Sequence, residues 1–298
     1  MRGQRAMNDI TEPTVPILVC VDGSDEALAA TRWAAGYAAR IHAPLRLVHT
    51  VPDGDWYGSA AFVDGGALED DLRRIGENHL ALATDAAHAV APDQLVETVI
   101  ADGTLSDFVA TTSASLIVLG SRRRSAARDL LLGSNTIGVL ERATGPVLIC
   151  RPGSEQADDR RPIVVGVDAS TQSDRALTLA MDIAHTFGRP LVAANYWGVA
   201  AQAGIGLGAG YIDWERVRAE EKRWLDAHVS VLHEKYPDVP LTTISSDQSP
   251  GRALTALSAD AMIVAVGSRG RGAFLGTLLG SVSQNLLHHA ECSVLIVR

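Results

Sequence analysis

The chain has 298 residues, of which 47% are hydrophobic and 20% charged; this is ample apolar material for cores of domain size and excludes wholesale disorder. A formal net charge of −9 sets the whole-chain field against nucleic acid and anionic membranes, so neither is expected as a partner. No run reaches the ~18 apolar residues of a membrane span. The N-terminal MRGQRAMNDITEPTVP lacks the apolar centre of a signal peptide, which leads to the expectation of a cytoplasmic protein.

The first half alternates strand and helix. The β-branched run ILVCV (17–21) ends in the turn Asp22-Gly23-Ser24, and SDEALAATRWAAGYAARIH follows as a helix. LRLVHTV (45–51) reads as a second strand, leading through a glycine-rich loop to a long helix. LVETVIA (95–101) is a third strand, followed by a short helix from about Thr104 to Ser113. LIVLG (116–120) is a fourth, running into GSRRRSAARDLLLGS (120–134), a helix, and a last strand VLIC (147–150). Cys20, Cys150 and Cys292 lie in or beside such apolar runs with no C-x-x-C pair, so buried free thiols in a reducing compartment are expected.

The series then repeats. PILVCVDGS (16–24) returns as PIVVGVDAS (162–170), and APLRLVHTV (43–51) as RPLVAANYW (189–197). LIVLGSRR (116–123) returns as IVAVGSRG (263–270), and GPVLICR (145–151) as CSVLIVR (292–298). Four colinear matches at offsets of 146 or 147 indicate a duplication. Two domains are therefore expected, 14–152 and 162–298, with the polar, Pro/Gly-bounded segment 153–161 as linker. The long helix of the second half is expected over 212–236, burying Val217, Leu225, Val229, Leu232 and Tyr236. Continuously apolar strands separated by helices point to α/β architecture: two tandem five-stranded parallel sheets with helices on both faces, Rossmann-like in outline. Such sheets bind ligands beyond the carboxyl ends of their strands, where the strand order reverses.

Both features expected at that crevice are strand ends. In the second half the frame Gly267-x-x-Gly270-(nine residues)-Gly280-Ser281 leaves strand 4 and reaches a helix start. Gly267 would turn the chain off the sheet, and Gly270 would supply positive φ and open space for an anion. Gly280 and Ser281 would present first-turn amides, whose unpaired N–H groups and dipole favour phosphate, with Arg269 and Arg271 adding charge. The competing reading is a plain glycine-rich connection with Ser281 as an ordinary N-cap.

This pattern, with an Asp ending strand 1 of a duplicated five-strand unit, resembles the universal stress protein family in its tandem two-domain form, over nearly the whole chain from Pro16 to Arg298. The resemblance implies ATP, with Mg²⁺, bound by a nucleotide-responsive regulator of a stress or dormancy response. For the second domain it implies Asp168 near the ribose, with Ala169 and Ser170 in the turn beside it. Asn195 or Tyr196 would offer backbone contacts to adenine. Gly267, Ser268, Arg269 and Gly270 would wrap the phosphates, with Gly280, Ser281, Val282 and Ser283 at the helix start. Ala169 departs from the usual glycine, a mild change unless the turn needs positive φ. The first domain matches at Asp22, Gly23, Ser24, Gly120, Ser121, Arg122, Gly133 and Ser134. It departs at Arg123, in the place of Gly270, and at Asn135, which replaces the hydroxyl-sized neighbour expected near the helix start. Arg123 would either obstruct a phosphate or pair with it.

Other signals carry less. GIGLGA (204–209) mimics a dinucleotide fingerprint, but it follows the second strand of its half, not a strand-to-helix turn of the right kind. His288-His289 points two rings about 100° apart and reads as a solvated helix end. The basic run RRRS (122–125) is short for a nucleic-acid patch, and no metal-ligand spacing is found. There is no Walker lysine and no evident catalytic base, so at most weak ATP hydrolysis is expected. A slow ATPase, with Asp168 or Ser283 positioning water, and a nucleotide-free interaction module are the alternatives. The resemblance further implies that strands 146–151 and 293–298 are sheet edges, and that the halves pair through them. A homodimer is a further option, and the protein partner stays unidentified.

Overall fold

A computed structural model describes residues 15–52, 65–121, 133–153, 160–198, 213–270 and 279–298. In the first half the elements are β1 (Ile17–Cys20), α1 (Asp25–Ile41), β2 (Leu45–Val51), α2 (Gly65–Val90), β3 (Val96–Asp102), α3 (Leu105–Thr111), β4 (Leu116–Gly120), α4 (Ser134–Arg142) and β5 (Val147–Cys150). The second half runs β6 (Ile163–Gly166), α5 (Thr171–Phe187), β7 (Leu191–Tyr196), α6 (Trp214–His233), β8 (Leu241–Ser246), α7 (Pro250–Leu257), β9 (Ile263–Gly267), α8 (Ser281–His289) and β10 (Ser293–Val297).

Each half is a parallel sheet of five strands, in the orders β3-β2-β1-β4-β5 and β8-β7-β6-β9-β10. The first strand of each half lies between its second and fourth, so the crevice forms where the direction of winding reverses. The inner strands are buried along their length because helices cover both faces; β1, β5 and β10 expose almost nothing.

The two five-stranded sheets are one ten-stranded sheet. β5 and β10 pair antiparallel with Leu148 opposite Leu295, Ile149 opposite Val294 and Val147 opposite Ile296. Leu148 and Leu295 are counterparts in the repeat, so the pseudo-two-fold axis passes between them. The strands expected at the edges of separate sheets thus cover each other, as the resemblance implied, and the outermost strands are β3 and β8. Both outer strands are only partly buried.

The helices also meet across the axis. Phe187 of α5 packs on Trp33 and Tyr37 of α1 at centroid distances of 5.8 Å each, and the Arg40 guanidinium lies 5.0 Å over its ring. All three thiols are buried, as expected. The long second-half helix is shorter than its apolar spacing suggests. It ends at His233, and Tyr236 lies beyond it, where its hydroxyl donates to Asp182 of α5. Leu225 and Val229 are the helix residues fully buried, whereas Val217 and Leu232 are half-buried.

Candidate functional site

The turn after β6 is built by hydrogen bonds within the six residues from Asp168 to Ser173. Asp168 Oδ1 accepts from Ser170 N at 3.0 Å and from Ser170 Oγ at 2.6 Å, and Ser170 Oγ caps α5 by accepting from Ser173 N at 3.2 Å. This fixes the carboxylate and leaves its Oδ2 toward the glycine loop. To hold the bend, Ala169 adopts φ +60°, where its counterpart Gly23 has φ +78°. The turn does need positive φ, so Ala169 carries backbone strain of about 1 kcal/mol that glycine would not.

The glycines of the loop are set by crowding. A Cβ on Gly267 would lie 2.8 Å from Gln172 Cβ and 3.0 Å from Ser173 N, because the start of α5 rests on this strand end. A Cβ on Gly270 would lie 2.3 Å from Asp168 Oδ2. Gly270 does not have positive φ, contrary to the expectation; it is glycine because the Asp168 carboxylate occupies the space of a side chain.

The loop is closed at its base. Gly280 N donates to Ser268 O at 2.8 Å, and Ser268 N to Val297 O at 2.6 Å. Ser283 Oγ donates to Gly267 O at 2.8 Å and is buried, which ties the first turn of α8 to the end of β9. Gly280, not Ser281, is the N-cap of α8, and no side chain caps it. Its first-turn amides are therefore unclaimed by protein side chains at the point where the helix dipole is positive.

These parts border one cavity of about 480 Å³. Gly267, Arg269, Gly270, Gly280 and the α8 residues Ser281, Val282 and Ser283 form one end. Because β6 lies between β9 and β7, Asp168 after β6 falls between that end and Asn195 and Tyr196 at the end of β7. Ser170 and Ala169 shape the turn behind Asp168, and Ser268 is buried in the closure of the loop, so these three support the cavity without bordering it.

Sequence reasoning missed several of its walls, four of which matter most. Trp197, Pro250 and Leu254 supply apolar surface, and Glu221 of α6 accepts from Asn195 Nδ2 at 2.9 Å. Asn195 is 5% exposed, so its side chain serves this bond. Glu221 had no signal, being one acid among several on a solvated-looking helix. Trp197 stacks on Trp214, with centroids 6.3 Å apart and planes 11° apart.

The first half repeats the turn and changes what covers it. Asp22 Oδ1 accepts from Ser24 N at 3.0 Å, and Ser24 caps α1. Gly120 has no room for a Cβ, which would lie 2.5 Å from the Glu26 carbonyl carbon, and Ser121 N donates to Cys150 O at 3.0 Å. Gly133 is the uncapped N-cap of α4, Ser134 its first residue, and Asn135 is exposed. Arg122 and Arg123 lie outside the described residues, as do Arg271 and the segment GIGLGA.

Above this turn the His79 ring packs on Gly23, where a Cβ would be 2.3 Å from Nε2. His49, the counterpart of Asn195, turns Nδ1 to Val21 O at 2.7 Å and lies against Gly76. Two imidazoles with centroids 5.2 Å apart thus cover the first turn, which Arg123 alone did not foretell. His288 and His289 are exposed at the end of α8, as expected.

The fold defines a class: tandem α/β repeats, each with a switch point where its strand order reverses. Comparison with known proteins places the chain within it. The universal stress protein family matches residues 15–151 and again 159–298, and the chain belongs to that family as a tandem member. It is 33% identical over 289 residues to universal stress protein Rv2005c of Mycobacterium tuberculosis, covering 95% of this chain and 96% of that one. A universal stress protein of Mycolicibacterium smegmatis is 32% identical over 295 residues, with the same coverage of 95% and 96%. The crystal structure of a universal stress protein from Archaeoglobus fulgidus has the same fold, with a TM-score of 0.67 over 95% of this chain and 98% of that one, at 19% identity. No helix among the described residues is long and apolar enough to cross a membrane.

Proposed function

We propose that this universal stress protein binds ATP in the second-half crevice and acts as a nucleotide-responsive regulator. The observation that carries this is the α8 N-terminus: uncapped first-turn amides, beside Arg269, at one end of a cavity of about 480 Å³. Phosphates would lie there on the amides of Ser281, Val282 and Ser283. Asp168, fixed by Ser170, would accept from ribose hydroxyls, and the apolar wall of Trp197, Pro250 and Leu254 would receive the base. Mg²⁺ would be held chiefly by the phosphates, because the carboxylate nearest the loop is Asp168 and it is already engaged.

The same bonds weigh against hydrolysis as the main activity. The Ser283 hydroxyl is spent on backbone carbonyls of the loop, and Asp168 is spent on the turn, so neither is placed as a free base for water. The first half is proposed not to hold nucleotide in this manner, because His79 occupies the space over Gly23.

The test is a count of nucleotide released from freshly purified, denatured protein, together with ATP titration. About one adenine nucleotide per chain is expected, and Gly270→Arg, which copies the first half into the second, should abolish it. Wild-type protein that releases none and shows no saturable ATP binding would refute the proposal. Two nucleotides per chain would refute the closed first half.

A further inference from the structure

The last residue of each repeat reaches into the other repeat. Arg151 follows β5 of the first half, is 2% exposed, and donates through Nη2 to the carbonyls of Leu287 at 3.1 Å and Leu286 at 3.5 Å, in the last turn of α8. Arg298, its counterpart 147 positions on, donates through Nη2 to Leu140 and Glu141 in the last turn of α4. The exchange is reciprocal, as the pseudo-two-fold axis requires. Each helix that begins at a glycine frame is gripped at its far end by a guanidinium from the opposite half.

α8 has nine residues, so it is about 13 Å long from loop to guanidinium. Its start is tied to β9 through Ser283 and Gly280, and its end is fixed by Arg151. The guanidinium satisfies the Leu287 carbonyl, one of those helix geometry leaves unpaired, adds a longer second bond to Leu286 O, which already accepts from Ala290 N at 2.9 Å, and places positive charge at the negative end of the dipole. A cation in a buried position is costly unless its bonds are made. A leucine or methionine would fill the space without that cost, so the arginine is there for its direction and charge.

We infer that Arg151 is a positioning residue for ligand binding in the other half: it sets the axial position of α8, and with it the amides that receive phosphate. The inference rests on the proposed phosphate site at α8 and adds that the site is complete only when the two halves are paired. Arg151 touches no ligand itself.

The test uses the full chain and compares ATP with adenosine, which lacks phosphates, in wild type, Arg151→Met and Arg151→Lys. ATP affinity should fall about 5- to 20-fold in Arg151→Met, with adenosine affinity changed less than about 2-fold. Arg151→Lys, which keeps the charge and loses the planar fork, should recover part of the loss and keeps the comparison available if the methionine variant folds poorly. Unchanged ATP affinity in both variants overturns the inference while leaving the ATP site standing. An equal loss for ATP and adenosine also overturns it, because that is the signature of general destabilisation. Wild-type protein that does not bind ATP overturns the phosphate site and this inference together.

Discussion

Gly270→Ala puts one methyl group where the Asp168 carboxylate sits. The added Cβ would lie 2.3 Å from Asp168 Oδ2, about 1.1 Å or more inside ordinary contact, so either the carboxylate or the loop must move. The carboxylate is held by two bonds from Ser170, at 3.0 and 2.6 Å, and Ser170 in turn caps α5. Moving it weakens charge-assisted bonds and a cap, each worth about 1 kcal/mol or more. Against this, alanine restricts the unfolded chain and returns about 0.4–1 kcal/mol. The net expectation is a loss of about 1–3 kcal/mol, read as a lower denaturant midpoint, and a fall in ATP affinity of tenfold or more. The decisive assay is a double-mutant cycle on stability. In an Asp168→Ala background the clash partner is gone, and Gly270→Ala should cost less than about 0.5 kcal/mol. If the cost is the same in both backgrounds, or if Gly270→Ala stabilises the wild-type chain, the crowding argument is wrong.

Ala169→Gly should raise stability by about 0.5 kcal/mol in urea melts, since Ala169 sits at φ +60° and the strain relieved exceeds the entropy that glycine adds to the unfolded chain. No gain would show the turn to be unstrained. Leu295→Lys sets an ammonium at the axis, where Leu295 is fully buried, and should cost more than about 3 kcal/mol and uncouple the two halves in melting. An unchanged melt and hydrodynamic size would contradict the pairing. Burial raises the Cys292 thiol to about 12 and Cys20 further, and the Asp182 carboxylate that accepts the Tyr236 hydroxyl raises that group to about 12. All three bind their proton more tightly folded than unfolded, so this stability is present below pH 9 and is lost as pH rises from about 9 through 12. Denaturant midpoints should fall across that range, less steeply in Cys292→Ala; a flat profile would count against it.

The sequence alone determined the duplication, the strand and helix series, and the glycine frames, because these are properties of local pattern. β-branched runs cannot be left exposed, Asp-x-Ser makes its own turn and cap, and two copies at one offset identify each other. It also placed Asp168 and the α8 start at one crevice, through the rule that ligands lie where parallel strand order reverses. What it could not supply was the reason for each glycine. Positive φ was expected at Gly270 and a small tolerance at Ala169, and the structure reverses the two: Gly270 is excluded from having a side chain by Asp168, and Ala169 carries the left-handed turn. The first depends on which residue of a distant segment arrives within 3 Å, and the second on the path the backbone takes through the Asp168–Ser170 turn. For the same reason Glu221, His79 and Arg151 were silent in the sequence. Their partners lie 26, 56 and about 136 positions away. Only the packing of α6, of α2 and of the opposite half brings them to the two crevices and to the helix ends behind them.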